Sequence, residues 1–176
     1  ETRVLSKDAC RGNKSCWALI ASASVFAQDT RFPNDPAIAD VTVPPYGAKA
    51  DGGTDDTAAI RRALDQNIGG IVYLPKGRYK ITDRLSWPPP QRNITLWGES
   101  MAETVLVLGD ETAGYSDPAK PKAMIWTGVK PAQRFKNYIR NLTLDTGKDN
   151  PGAIGVQFIA NNSGAIRDVI IRAGSA

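Results

Sequence analysis

Histidine is absent from all 176 residues, which excludes imidazole proton shuttles, His-based triads and His-ligated zinc. The only cysteines, Cys10 and Cys16, lie in a leader-like segment, so thiolate chemistry is not expected from the rest of the chain. Any chemistry must use carboxylates, Lys, Arg or Tyr. Hydrolysis of a glycosidic bond needs two carboxyls flanking that bond at a fixed separation. Elimination at a uronate needs a cation or basic residue to acidify the proton beside the carboxyl group, and a base to remove it. The most conspicuous acidic pair is Asp55-Asp56, and helix capping explains it. Asp51 and Asp149 have the surroundings of turn formers, and Asp110-Glu111 reads as a solvated pair in a Gly-flanked loop. No dyad with better credentials is visible, so no catalytic residue is assigned.

Binding residues stand out more clearly. Lys120, Lys122, Lys130, Arg134, Lys136, Arg140 and Lys148 crowd one window against Asp145. Within it Trp126, Lys136, Arg140 and Asp145 are the candidate substrate-binding residues, the indole stacking on a sugar face and the cations gripping a uronate. The ligand expected on this basis is a polysaccharide, neutral or acidic. The same window also reads as a solvated loop surface. There is no metal-ligating set and no cofactor motif, so neither is expected. Beyond residue 27 the chain carries 18 basic and 16 acidic residues, a net charge of +2. That balance lacks the concentrated basic face of a nucleic-acid binder.

The stretch Val41 to Asp65, VTVPPYGAKADGGTDDTAAIRRALD, must build the frame for these residues. It reads as an extended run, a Gly-punctuated turn and a short helix. Thr54 is the expected N-cap, with Asp55 and Asp56 in the first turn, where carboxylates meet free N–H groups. Ile60, Ala63 and Leu64 form one apolar stripe, and Asn67 with Gly69-Gly70 stops the helix. Short strands follow over 71–74, 78–81, 93–97, 104–108, 123–126, 138–145, 155–159 and 166–172. Few are joined by two-residue turns, which argues against a meander.

A repeat decides the architecture. Arg92-Asn93-Ile94-Thr95-Leu96 recurs as Arg140-Asn141-Leu142-Thr143-Leu144 and again as Arg167-Asp168-Val169-Ile170-Ile171. One solenoid coil takes roughly 20–30 residues, so offsets of 48 and 27 suggest two coils and then one. Alternation sends Ile94, Leu96, Leu142, Leu144, Val169 and Ile171 inward, leaving Asn93, Asn141 and Asp168 outward in one column. It also aligns Asp145 with Arg172 one coil on, so an ion pair between coils accounts for Asp145 as well. Three sequon-like triplets, at Asn93, Asn141 and Asn161-Asn162-Ser163, fall on strands or tight turns and read as stacking asparagines rather than glycan acceptors.

YGAKADGGTDDTAAIRRALD followed by GGIVYLPKGRYKI resembles the N-terminal signature of the pectate lyase superfamily. The resemblance implies an all-β chain: a right-handed, single-stranded parallel β-helix with an N-terminal capping helix, truncated at its C-terminal end because no closing cap follows the third repeat. It is specific for fold and weak for chemistry, since the superfamily supports several reactions. Its catalytic acids lie on later coils, so none is carried over here.

Residues 1–27 resemble a signal peptide: Arg3, Lys7, Arg11 and Lys14 precede the apolar run CWALIASASVFA, with small residues at Val25-Phe26-Ala27 before a cut. Residues 28–40 read as a linker and 41–176 as capping region and first coils. The expected protein is secreted or periplasmic, without a membrane span. Its expected function is that of the N-terminal fragment of a polysaccharide-degrading hydrolase or lyase acting on a cell-wall or pectin-like glycan. A non-catalytic tailspike or adhesin segment is the alternative, and an epimerase-like protein a third reading.

Overall fold

A computed structural model of the chain describes residues 29–32, 34–130 and 134–174. The leader with Cys10 and Cys16 lies outside the described residues. Eleven strands and one helix follow in the order β1 (Ile38–Asp40), β2 (Asp51–Asp55), α1 (Thr57–Gln66), β3 (Ile71–Leu74), β4 (Gly77–Ile81), β5 (Leu85–Ser86), β6 (Thr95–Gly98), β7 (Thr104–Leu108), β8 (Lys122–Trp126), β9 (Tyr138–Asp145), β10 (Ala153–Gln157) and β11 (Ala165–Arg172).

All strand pairing is parallel, and each strand pairs with its counterpart one turn of the chain later. Three faces result. The first runs β1-β3-β6-β9-β11. The second runs β2-β4-β7 and then the distal halves of β9 and β11. The third is β5-β8-β10. This is a right-handed parallel β-helix with α1 as its lid.

Stacking of like residues makes the core. Val72, Leu96 and Ile139 superpose along the first face, and Tyr79, Leu106 and Leu144 along the second, all fully buried. Complete burial of each such side chain stabilises by about 1.5–3 kcal/mol. Ile60, Ala63 and Leu64 of α1 join the same cluster, as their spacing predicts. Ile154, Ile166 and Ile171, at the opposite end, are exposed. Leu142 and Val169 superpose in register, so the two later repeats align as expected.

The first repeat does not. Trp97, not Arg92, stands in line with Arg140, 43 residues on. A single coil therefore separates β6 from β9, where the 48-residue offset suggests two. The loops that follow β7 and β8 inflate this coil, and spacing alone cannot tell a long loop from an extra turn of the solenoid.

The corner between the first and second faces explains the repeat that does hold. In β9 and β11 the whole bend is one residue, Asn141 or Asp168, each with φ +55°. The register skips both, passing from Arg140↔Arg167 to Val169↔Leu142. Asn141 does not face outward. It is 4% exposed, and its Nδ2 donates to the carbonyls of Gly98 and Glu99 at 3.0 and 2.7 Å. Asn93 precedes β6 and lies elsewhere.

Two further expectations are corrected. The span read as a linker holds β1, which pairs with β3, and a segment packed on the first face. There Phe32 sits edge-on to Tyr73 and Trp97, and Arg31 meets Glu99 at 2.9 Å. Composition alone, with two prolines, suggested otherwise. Thr54 is not the N-cap. The Asp51 carboxylate accepts from the Gly53 and Thr54 amides, so Thr54 ends a turn inside β2. Helix α1 starts two residues after Asp55, whose carboxylate accepts the Thr57 amide at 3.0 Å. Asp56 turns away and accepts from the amides of Lys49 and Ala50.

Asp83 fastens the lid to the third face, bonding Arg61 of α1 at 2.6 Å and Lys122 of β8 at 2.7 Å. Partial burial pushes its pKa up, but the bonds from Lys122, Arg61 and the Arg84 amide outweigh burial and hold the carboxyl far below its usual range. A depressed carboxyl contributes stability above its unfolded value, about 3.9, and the contribution fades as pH falls below that. The group is nearly half exposed, so solvent screening limits its worth to about 0.5–1 kcal/mol. Asp83→Asn should lower Tm at neutral pH by about 1–4 °C. The difference from the parent should begin to shrink as Tm is scanned below about pH 4 and disappear only as pH falls through the depressed folded-state value.

Candidate functional site

The second face carries a groove. Outward positions alternate with core positions along each strand. Arg78 and Lys80 therefore project from β4, Val107 from β7, Asp145 from β9 and Arg172 from β11, while Val105 and Thr143, at outward register, are covered, Thr143 donating to the Met101 carbonyl. Two contiguous depressions of about 420 and 260 Å³ share Arg78, Val107 and Asp110. Their charged lining is Arg78, Lys80, Lys148 and Arg172 against Asp110 and Asp145. Cations outnumber carboxylates two to one over an apolar floor at Val107.

The carboxylates are partly engaged. Asp110 accepts the Lys148 amide at 2.8 Å, which pins the loop after β9 to the loop after β7. Asp145 accepts the Gly147 amide at 3.1 Å. Its nearest cation is Arg78 of β4, at 4.0 Å, reaching across the β7 rung. Arg172 stands opposite Asp145 in register, as the repeat predicts, yet the ion pair forms with Arg78 instead. At 4.0 Å that contact is not a hydrogen bond, and the Arg78 side chain stays 52% exposed.

Of the four residues singled out from sequence, the groove contains only Asp145. Trp126 ends β8 on the third face, with the Arg84 guanidinium 5.1 Å from its ring. Lys136 is exposed in the turn before β9 and takes φ +55°. Arg140 lies on the first face, between the rings of Trp97 and Tyr138 at 5.0 and 4.9 Å. One basic window in sequence is thus spread over three faces. Arg78 and Lys80, missed by that reading, lie two coils before Asp145. Alternation around Tyr79 marks both as outward, but only the stacking order brings them beside Asp145.

Comparison with known proteins places this geometry. A family model described as rhamnogalacturonase A/epimerase, pectate lyase-like, matches residues 41–176. The chain belongs to that family. Among its relatives, the mannuronan C5-epimerase AlgE5 of Azotobacter vinelandii is 33% identical over 147 residues, covering 75% of this chain and 14% of the relative. A glucan 1,3-beta-glucosidase of Cochliobolus carbonum is 30% identical over 134 residues, covering 74% of this chain and 16% of the relative. The A-module of the mannuronan C-5 epimerase AlgE6 of A. vinelandii superposes with a TM-score of 0.50 at 26% identity, covering 77% of this chain and 36% of the module. The chain thus spans a small part of the length of these family members. No helix among the described residues is long and apolar enough to cross a membrane.

Proposed function

We propose that this chain is the N-terminal part of an exported β-helix protein that acts on an acidic polysaccharide, and that the glycan lies along the second-face groove. The observation that carries the reading is the groove's surplus of cations over carboxylates, with Arg78 extended and half exposed above an apolar rung. A uronate carboxylate suits guanidinium groups, which offer paired donors. The Val107 floor suits the apolar face of a sugar ring. Names among the relatives, mannuronan epimerases and an alginate lyase, agree with an acidic substrate.

Epimerisation and elimination share a first step, loss of a proton beside a carboxyl group that a cation has neutralised. The groove's cations fit that preparation better than hydrolysis, which needs a free pair of flanking carboxyls. Asp110 and Asp145 each spend one oxygen on a backbone amide of the surrounding loops, so the reading leaves the acid/base groups to coils of the whole protein outside this chain. Export rests on the leader pattern of residues 1–27.

The test is binding of the chain to polymannuronate, polygalacturonate and a neutral β-1,3-glucan, by calorimetry at low and high salt. The acidic polymers should bind and weaken with salt, the neutral one should not bind, and Arg78→Ala with Arg172→Ala should cost about tenfold or more in affinity. Equal binding of the neutral glucan, or an unaffected double variant, would sink the reading.

A further inference from the structure

The first face carries a column that neither the groove nor the core accounts for. Asp40, Tyr73, Trp97, Arg140 and Arg167 follow one another outward along β1, β3, β6, β9 and β11, one per coil. Two aromatic rungs are thus succeeded by two arginine rungs. Phe32 packs perpendicular to the rings of Tyr73 and Trp97, leaving the arginine end beyond it.

Neighbouring strands lie about 4.8 Å apart, so arginines in register bring like charges into direct opposition, an arrangement that destabilises a sheet. The same two strands show the alternative a few residues on, where Asp145 stands opposite Arg172. Among the described residues no ion pair joins Arg140 or Arg167 to a carboxylate. The nearby carboxylates in sequence and register do not serve: Asp168 occupies the corner, and Asp40 lies at the far end of the column, bonded to Thr42. Arg140 is also held in place. Its guanidinium lies about 5 Å from two rings, and its Nε is buried without a partner, as is Trp97 Nε1. A cation fixed in this way and set beside a second cation is prepared for an anion that the protein itself does not supply.

We infer that Arg140 and Arg167 form a second anion site, on the first face and separate from the groove, which takes a carboxylate of an acidic glycan with Trp97 and Tyr138 beside it. The class of ligand rests on the proposed function; the site rests on the uncompensated pair. A long glycan chain then has two cationic surfaces on adjacent faces of one solenoid, divided by the Asn141–Asp168 corner.

The experiment uses Arg167→Glu, which gives Arg140 an opposite charge in register. Polymannuronate binding and Tm are measured on the whole chain, with Arg167→Gln as a milder variant and Lys120→Glu as a control for net charge. Arg167→Glu should weaken binding about tenfold or more, while Tm holds or rises by up to about 4 °C. Arg167→Gln should weaken binding less, and Lys120→Glu should barely change it. Loss of affinity no greater than in Lys120→Glu would overturn the site, as would a fall in Tm that accounts for the lost binding. The groove variants separate the two ideas. If Arg78→Ala with Arg172→Ala abolishes binding and Arg167→Glu leaves it intact, the groove stands and this site falls. The reverse pattern supports this site and removes the groove.

Discussion

Asn141→Asp should cost the fold roughly 3–5 kcal/mol, read as a fall of roughly 10 °C in Tm. The side chain is buried at the corner where the chain leaves the first face for the second, and its amide donates to both Gly98 and Glu99 of the preceding coil. Aspartate matches asparagine in size and also tolerates the left-handed backbone. It replaces a donor to two carbonyls with an oxygen facing them, in a place water does not reach. Asn141→Gly accepts φ +55° freely and loses only the two bonds, about 1–3 kcal/mol. Asn141→Ala loses the bonds and strains the backbone, so it should fall between the two. Asp168 takes the same φ one coil on but is exposed, and Asp168→Asn should change stability by no more than about 0.5 kcal/mol. Urea denaturation of the series checks the order. An Asn141→Asp protein as stable as Asn141→Gly would show that the corner depends on backbone conformation and not on the amide.

That corner also marks the limit of what was legible in the residues. Inward alternation at Ile94, Leu96, Leu142 and Leu144 holds, because a residue that must be buried in every coil leaves its mark in every coil. Recurrence of Asn141 as Asp168 holds for a related reason: few residue types accept that backbone. The misalignment of Arg92 shows the converse. Loops outside the core are free to vary in length, so they spoil the count of coils without disturbing the stack. Strands β2 and β5 were missed because DGGTD and a two-residue pair carry no pattern of their own; their partners in the next coil define them. The groove was hidden in the same way. Arg78 and Asp145 are far apart in the chain, and neither has a signal beyond its charge.

Asp56→Ala should detach the lid from the first coil at a cost of about 2–4 kcal/mol. The carboxylate is 2% exposed and accepts from Lys49 at 2.7 Å and Ala50 at 3.0 Å, while the Asp56 amide donates to Lys80 at 2.9 Å. One side chain therefore fixes the turn entering β2, just where the chain passes into α1. Truncation leaves two amides in a dry place with no acceptor, whereas Asp56→Asn keeps one oxygen and should lose about half as much. Hydrogen exchange gives the decisive reading. The Lys49 and Ala50 amides should lose protection in Asp56→Ala before the β6, β7 and β9 amides do, because the later coils keep their own stacked core. Unchanged protection of those two amides would overturn this account of the lid. The effect should extend to the groove, since Gly52 lines its near end with Arg78 and the neighbouring Asp51 pairs with Arg78 in register. A loosened first coil should then weaken acidic-glycan binding through the freedom it gives Arg78, although Asp56 itself lies outside the groove.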